Sequence, residues 1–529
     1  MAGGTYDFIV LGGGHNGLAS TIYLARAGFK VACLEANDEF GGGTRSGEVI
    51  PGYIADFGGM VHFNCAKSPI IRNDELDLFS KYGLEYSRMD SVFCSVFPDE
   101  THLSVKQNLD DFCNEIAKFS DHDAEQYHKF YNYISELSGA ANAGSSGSCP
   151  PYGAMMNILS MSSAGREFLR VLNSSAQEIV EEWFESEQLR VTLTRWATEM
   201  MIDPRQVGTS TVLMLSSAIH SDAFPGALFP KGGSNEFVNA LKRAAEAAGA
   251  DLFSSQWVNE FIVEGNEVKG CRTKAGDEFR CKNAIVSTIN VKNVFDILGD
   301  DAPYEDSHYV KLVRQSDFRA LNQSFALDVI PEFKAGEEVK ETFCIEFAPH
   351  EDDYLRHFSN FKFGDFKPEM PLITIPALAD PTRCPEGHSV VNVYSYCPWN
   401  LHGDWRNWKD PQQDAEAKQM VWEFFKSRCT NVTDDNILGT WSKNPVEYEE
   451  WNPAFVQGDI SLIGMQNSQM YDFRPIPGKG HDYHGDIENL YFVGACSHPG
   501  PSISFNARAG MVKVLEDYGV DIKDIVSKH

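Results

Sequence analysis

Residues 5–35, TYDFIVLGGGHNGLASTIYLARAGFKVACLE, decide the fold of this chain. The apolar run at residues 8–11 predicts a buried strand, and the residues after it show first helical spacing and then a second strand-like run. Gly12, Gly14 and Gly17 lie in the turn between the first strand and the helix. This order of elements around a GxGxxG sequence predicts a βαβ dinucleotide-binding unit.

Each glycine of this turn has a physical role. Gly12 permits the tight turn, Gly14 lets the backbone approach a pyrophosphate, and Gly17 lets the helix pack closely against the strand. The helix N-terminus offers N–H groups and a partial positive charge to phosphates. Glu35 ends the second strand, where its carboxylate accepts hydrogen bonds from an adenosine ribose and repels a 2′-phosphate. By itself the fingerprint is compatible with either NAD or FAD.

Composition narrows the class of protein further. A chain of 529 residues can bury a large core and predicts two or three closely packed domains. Its 45 basic and 75 acidic residues give a net charge of −30, which argues against binding to nucleic acid. The same charge disfavours anionic membrane surfaces, so a peripheral membrane contact is compatible with the sequence but not required by it.

Cysteine usage and the N-terminus predict the compartment. The 12 cysteines are scattered without a CxxC pair, which indicates a reducing environment and no redox-active disulfide. No run approaches the roughly 20 apolar residues of a membrane-spanning helix, and the first strand begins within ten residues of Met1. We therefore expect a soluble cytoplasmic protein without a leader, with no metal site and with an oligomeric state that the sequence leaves open. The apolar residues 212–215 fit a buried helix better than a membrane contact.

The chain divides into alternating segments. The Gly/Ser-rich residues 139–151 predict a surface loop or a flexible lid. Two predicted segments, 1–70 and 226–300, bind the nucleotide, and 446–529 is a third, C-terminal nucleotide-binding segment. Residues 71–225 are predicted to form a mostly helical substrate or lid region, and residues 301–445 a substrate domain.

Four separated blocks carry a family resemblance: GGGHNG (12–17) with Glu35, LEANDEFGGGTRS (34–46), FPKGGSNEF (229–237) and LYFVGACSHPG (490–500). Together they resemble the flavoproteins that include phytoene desaturases, carotenoid isomerases and monoamine oxidases. The chain is most similar to the phytoene-dehydrogenase-like branch, which contains the pyridine nucleotide-disulphide oxidoreductase domain-containing proteins.

The resemblance implies non-covalent FAD in an α/β fold. The expected architecture is a discontinuous, Rossmann-like FAD-binding domain of the glutathione reductase type with an inserted α+β substrate domain. The residues that the resemblance implies in FAD binding are Gly12, Gly13, Gly14, His15, Asn16, Gly17, Glu35, Ala36, Gly42, Gly43, Thr44, Arg45, Gly59, Met60, Val61, Val258, Gly494, Ala495, Ile503 and Ser504.

Two departures from the family pattern bear on function. The third residue of the family's Gly-Gly-Arg turn is Gly43 here, and we expect Arg45 to carry the phosphate-directed charge instead. After His-Pro-Gly, the family's glycine-rich stretch is replaced by PSISF (501–505). Substrate and oxidant are therefore not inherited from the family.

Candidates for acid–base chemistry are few. His62 and His498 flank glycine turns expected to face the flavin, and imidazole titrates near neutrality. A purely structural role is favoured for each. Cys496 is read as a packed thiol in preference to a flavin thioether. The aromatic residues 396, 399, 405 and 408 fit a substrate tunnel or an ordinary cluster equally well.

These features predict an FAD-dependent oxidoreductase. We expect it to transfer a hydride from a small hydrophobic substrate, isoprenoid or aromatic, to flavin N5, with oxygen, a quinone or another acceptor reoxidising the flavin. The alternatives are a redox-neutral FAD-dependent isomerase and, less favoured, an escort protein of the same fold without flavin.

Overall fold

The structure is a computed structural model that describes residues 3–62, 68–142, 149–221, 224–501 and 506–527. Two seven-stranded sheets organise it. The strands are β1 (Gly3–Leu11), β2 (Val31–Leu34), β3 (Ser46–Ile50), β4 (Tyr53–Asp56), β5 (Tyr86–Met89), β6 (Ser91–Val96), β7 (His102–Ser104), β8 (Ala227–Pro230), β9 (Asp251–Phe253), β10 (Val258–Glu264), β11 (Glu267–Thr273), β12 (Glu278–Ser287), β13 (Arg319–Leu327), β14 (Thr342–Phe347), β15 (Leu372–Thr374), β16 (Ser389–Cys397), β17 (Ile437–Lys443) and β18 (Leu490–Phe492).

Helices connect and cover these sheets, together with short 3-10 segments such as Thr209–Met214. The α-helices are α1 (His15–Arg26), α2 (Pro69–Arg72), α3 (Leu109–Ala117), α4 (Asp121–Asn142), α5 (Tyr152–Ser160), α6 (Ser163–Leu172), α7 (Ala176–Trp183), α8 (Glu187–Thr198), α9 (Leu215–Ile219), α10 (Ser234–Ala247), α11 (Val291–Leu298), α12 (Tyr304–Leu312), α13 (Glu351–Phe361), α14 (Pro411–Ser427), α15 (Pro445–Trp451) and α16 (Ala507–Asp517).

The first sheet has the order β10-β11-β12-β1-β2-β9, with β18 beside β12. Strand β1 is parallel to both β2 and β12, and Leu11 faces Leu34 and Ser287 at the carboxyl ends. Strand β12 is long enough to pair with two neighbours on one edge, antiparallel with β11 near its start and parallel with β18 at its end. Distant parts of the chain thus build one sheet, which confirms the expected discontinuous Rossmann-like domain.

The second sheet has the order β17-β13-β16-β15-β14-β6-β7 and is antiparallel except for the β14–β6 pair. Strand β13 is buried along its whole length. Strands β6 and β7 come from the stretch that the sequence indicated as helical. They are short: β6 pairs with β14 and β7 pairs with β6, and this tertiary pairing outweighs the helical tendency of their surroundings.

The predicted loop at residues 139–151 is wrong at its start, because residues 139–142 continue helix α4. Its centre, residues 143–148, lies outside the described residues. Within the part of the chain that the structure describes, no helix is long and apolar enough to cross a membrane.

A buried ion network joins the first nucleotide-binding segment to the substrate side. The Arg383 guanidinium donates to Asp56 Oδ2 at 2.9 Å and to Asp380 Oδ2 at 2.8 Å, and all three side chains are at most 1% exposed. The carboxylates also accept backbone N–H bonds, from Ser234 to Asp56 at 2.8 Å and from Gly232 to Asp380 at 2.7 Å. One guanidinium therefore fixes β4, the turn before α10 and the 376–383 loop together.

We expect Arg383→Met to lower the free energy of unfolding by about 3–5 kcal/mol, because it leaves two buried carboxylates without their counter-ion. Arg356→Met is the matched control: its ion pair with Asp353 is 65% and 56% exposed and is expected to contribute about 0.5 kcal/mol. Urea unfolding of both variants measures the difference. Equal losses in the two variants would contradict the structural role of Arg383.

Candidate active site

The glycine turn between β1 and α1 is fixed by a close backbone approach. Gly12 has φ +95°, a conformation that L side chains rarely adopt. A Cβ added at Gly17 would lie 1.8 Å from the carbonyl oxygen of Gly12, so only glycine allows this helix to sit here. Gly14 is the N-cap of α1, and no side chain among the described residues caps the helix. The first turn of α1 therefore opens toward the neighbouring cavity with its N–H groups directed outward.

Glu35 follows β2, and its side chain bonds to the backbone of the glycine turn between β1 and α1. Its Oε2 accepts the Gly13 N–H at 2.7 Å, and its Oε1 accepts the Asn37 N–H at 2.9 Å. The side chain is nearly buried, and this burial raises the pKa of its carboxyl. A carboxylate has about four acceptor positions, so Glu35 keeps capacity for a ligand hydroxyl.

A cavity of about 1170 Å³ extends from this turn to the second sheet. That volume exceeds the roughly 300–1,000 Å³ of an ordinary small-molecule pocket, which leaves room for a large cofactor and a substrate. The sequence-predicted residues on its wall are Gly12, Gly14, His15, Asn16, Glu35, Ala36, Gly42, Gly43, Thr44, Gly59, Met60, Val61, Val258 and Ala495.

Four predicted residues lie behind this wall, and two are not described. Gly13 and Gly17 shape the turn from behind, and Gly494 packs against the Asn16 side chain. Arg45 makes the clearest departure: its guanidinium stacks over Trp451 at 3.9 Å and donates to the carbonyls of Gly42 and Trp451. Two of the guanidinium nitrogens are thus bonded to carbonyls, and the role of Arg45 toward a phosphate stays a prediction. Ile503 and Ser504 lie outside the described residues.

His62 is fully buried and away from the described cavity wall. Its Nδ1 lies 2.7 Å from the Tyr86 hydroxyl, and its ring packs edge-on against Phe237. Burial, together with the nearby His15, lowers the pKa of His62 to about 3. The imidazole is therefore neutral near pH 7, and its environment favours a structural role.

His498 is also buried, at 6% exposure, and is not among the described wall residues. Burial and the charge of Arg474 lower the pKa of His498 to about 4. Neither ring nitrogen has a hydrogen-bond partner among the described residues. The catalytic roles of the two histidines stay predictions, and neither residue is among the described residues that line the cavity.

The cavity end that lies at the second sheet, here called the substrate end, is formed by residues that the sequence did not predict as site residues. Its wall is largely aromatic and aliphatic and comes from α8, the 209–219 region and the second sheet, with the polar residues Glu199, Asn322, Thr374 and Asn392 interspersed. Asn322 on β13 and Asn392 on β16 are bonded within the protein: Asn392 Nδ2 donates to Asn322 Oδ1 at 2.8 Å, and Asn322 Nδ2 donates to the Tyr448 hydroxyl at 2.9 Å. No motif in the sequence marks this part of the wall, because its residues come from distant parts of the chain.

The structure also places the other residues that the sequence singled out: the apolar residues 212–215, the aromatic cluster and Cys496. Val212, Met214 and Leu215 line the cavity, and Leu213 is buried in the core behind them. The aromatic cluster does not line it: Trp399 and Trp405 stack on each other at 5.7 Å, and Trp408 donates its N–H to backbone carbonyls. Cys496 is a buried free thiol, and burial raises its pKa to about 11.

Comparison with known proteins decides the class of this site. Residues 17–327 match the family described as flavin containing amine oxidoreductase. The chain belongs to this family. It is an FAD-dependent oxidoreductase, and the glycine turn, Glu35 and the cavity are the parts of the structure that suit the cofactor.

Individual relatives are distant but similar over their whole length. The pyridine nucleotide-disulfide oxidoreductase domain-containing protein 2 of Rattus norvegicus is 26% identical, over 94% of this chain and 91% of that protein. A limonene dehydrogenase polypeptide of Castellaniella defragrans is 24% identical, over 98% and 95%. A solved structure of putrescine oxidase bound to putrescine superposes with a TM-score of 0.64 at 13% identity, over 98% of this chain and 100% of that one.

The residues present fit FAD on structural grounds. The uncapped N-terminus of α1 suits a pyrophosphate, since backbone N–H groups and the helix dipole attract anions there. We expect Glu35 to accept a hydrogen bond from the ribose, and Val258 and Gln256 flank the same end of the cavity. The wall formed by Gly59, Met60 and Val61 lies between this end and the second sheet, where Met60 Sδ accepts the Thr374 hydroxyl at 3.0 Å.

We expect Glu35→Ala to weaken FAD binding by about 10-fold or more, since hydrogen bonds to a charged group contribute roughly 1.5–3 kcal/mol. Glu35→Gln retains part of the acceptor capacity and should lose less. Titration of the apoprotein with FAD, followed by quenching of flavin fluorescence, measures the dissociation constant. Glu39→Ala, an exposed neighbour, is the control. An unchanged constant for Glu35→Ala would mean that the ribose contact is misassigned.

The buried histidines predict an acid-sensitive stability. Their folded pKa values lie below the unfolded value of about 6.5, so the unfolded state binds more protons and stability falls as the pH drops below about 6.5. Between pH 7 and pH 5, His498 should account for about 2 kcal/mol of that loss. His498→Leu should remove this part, whereas the exposed His128→Gln should not. Urea unfolding at the two pH values tests it, and an unchanged pH dependence in His498→Leu would refute the assignment.

Proposed function

We propose that this protein oxidises a predominantly apolar organic substrate by removing two hydrogens from it. The observation that carries the proposal is the continuous cavity. One end has the geometry of a dinucleotide site, and the other is walled by aromatic and aliphatic side chains from α8, the 209–219 region and the second sheet. An apolar enclosure of this kind binds a hydrophobic molecule by removing its surface from water.

The chain's own residues position the reactants. FAD, when bound, supplies a two-electron acceptor for the hydrogen that leaves the substrate as a hydride, while a proton leaves separately. Phe93, Trp196 and Phe343 supply flat apolar surface at the substrate end, where Phe93 and Trp196 pack 5.8 Å apart. Such a wall holds the substrate and excludes water from the reacting bond.

Relatives support the same class of chemistry. The name of the Castellaniella protein assigns it to dehydrogenation of limonene, an apolar terpene, and that chain aligns over nearly the full length of this one. We extend to this protein the oxidation of a hydrophobic substrate and not the particular terpene. An electron acceptor such as oxygen or a quinone then completes the cycle.

We expect at least one member of a panel of polyenes, monoterpenes, hydrophobic alcohols and amines to bleach the flavin band near 450 nm under anaerobic conditions. The product should be lighter than the substrate by two hydrogens. Stopped-flow absorbance and mass spectrometry of the product provide the two measurements.

Other outcomes identify the alternatives. A product of unchanged mass, formed only by the pre-reduced protein, would replace oxidation by isomerisation. A purified protein that stays colourless after addition of FAD would overturn the proposal and favour an escort role. Admission of oxygen after reduction separates an oxidase from a dehydrogenase, because only an oxidase regains the oxidised spectrum rapidly without another acceptor.

A further inference from the structure

Glu199 places a carboxylate on the apolar side of the cavity. It follows the last residue of α8, and its side chain is 40% exposed on the cavity wall. Trp196 and Met200 flank it on that wall. Cys344 and Tyr394 of the second sheet line the same cavity; burial, and after it the charge of Glu199, raises the pKa of both groups. Residues 93–225 and the second sheet form one part of the cavity wall. Among the described residues of that part, Glu199 is the only charged one.

The Glu199 carboxylate is held by two buried residues, Tyr396 and Arg195. The Tyr396 hydroxyl donates to Glu199 Oε1 at 2.7 Å, and Arg195 Nη1 lies 3.6 Å from the same oxygen. Arg195 Nη1 also donates to the Tyr396 hydroxyl at 2.6 Å. Arg195 is fully buried, so these contacts fix the orientation of Glu199. Oε2 accepts no hydrogen bond from the residues that the structure describes, and it is the oxygen available to a ligand.

Arg195 balances the charge of Glu199. A second carboxyl, Glu346, lies near Arg195, but it is fully buried and neither of its oxygens has a hydrogen-bond partner in the described structure. Burial raises the pKa of Glu346 to about 8, so it is mostly protonated at neutral pH. The positive charge of Arg195 is therefore balanced by the negative charge of Glu199. Because this pair is neutral overall, a ligand that binds at Oε2 does not need to be a cation.

A purely hydrocarbon ligand would fit this wall poorly. It would remove water from Glu199 and give no hydrogen bond in return, and leaving a charged acceptor unpaired is unfavourable. A ligand that donates one hydrogen bond recovers that loss. Sites built to bond a hydroxyl reject analogues that lack it far more strongly than apolar pockets discriminate by size.

We propose that Glu199 determines substrate specificity by accepting, at Oε2, a hydrogen bond from a neutral hydroxyl group on an otherwise apolar substrate. Tyr396 and Arg195 are positioning residues that present the carboxylate. The inference rests on the proposed oxidation of a hydrophobic substrate and specifies its chemistry: an apolar alcohol is preferred over the matching hydrocarbon.

The test compares two probes that differ by one hydroxyl, perillyl alcohol and limonene. Their dissociation constants are measured on the FAD-loaded protein from the perturbation of the flavin absorption spectrum, without turnover. We expect the wild-type protein to bind the alcohol at least 10-fold more tightly than limonene. Glu199→Gln should weaken alcohol binding about 10-fold and should tighten limonene binding, if it changes it at all, because a neutral amide costs less to remove from water than a carboxylate. Tyr396→Phe should give a smaller loss, again for the alcohol only. Glu125→Gln, an exposed glutamate on α4, should change neither.

The outcomes separate this inference from the proposed function. Equal binding of both probes, or an equal response of both to Glu199→Gln, would overturn the role of Glu199 and leave the apolar substrate class intact. Tighter binding of perillylamine than of perillyl alcohol would overturn the neutral hydroxyl in favour of a cation. Absence of binding by either probe would overturn the apolar substrate class itself and, with it, this inference.

Discussion

The contact between Gly17 and the Gly12 carbonyl is the constraint on which the site depends. Because no side chain fits between them, helix α1 lies directly against the end of β1. Its first turn therefore meets the Glu35 carboxylate, which already holds the Gly13 N–H. The positive end of a helix and the Glu35 carboxylate are thus set side by side by backbone packing alone, before any ligand contributes.

A second constraint relates the cofactor end of the cavity to its substrate end. Arg383 bridges Asp56 and Asp380, and these carboxylates also hold the N–H groups of the turn that begins α10. The wall at Gly59 is fixed by the same turn, since the Ser234 hydroxyl donates to the Gly59 carbonyl at 2.9 Å. Cofactor and substrate surfaces consequently keep a defined separation, which hydrogen transfer requires.

Local sequence rules predicted the first of these constraints and not the second. The glycine turn and Glu35 are contiguous with the elements that they organise, so their spacing predicted a dinucleotide-binding fold, and the resemblance to flavoproteins then identified the cofactor as FAD. The substrate wall is assembled from distant parts of the chain: Arg195 on α8 and Tyr396 on β16, which bond to each other, are 201 residues apart. No local pattern encodes such pairings, and no motif in the sequence marks Glu199. The stacking of Arg45 on Trp451 could not be predicted for the same reason, because it joins residues that are far apart in the sequence.

The pairing of strand β12 also determines when the first sheet can be completed during synthesis of the chain. Its end is covered by β18, which is made some 200 residues later. During synthesis the nucleotide sheet therefore presents an open edge until residue 492 has left the ribosome, and an open edge is a template for association with other chains. Because one sheet is divided between the two ends of a long chain, this edge is covered only when synthesis is nearly complete, and the finished fold conceals it.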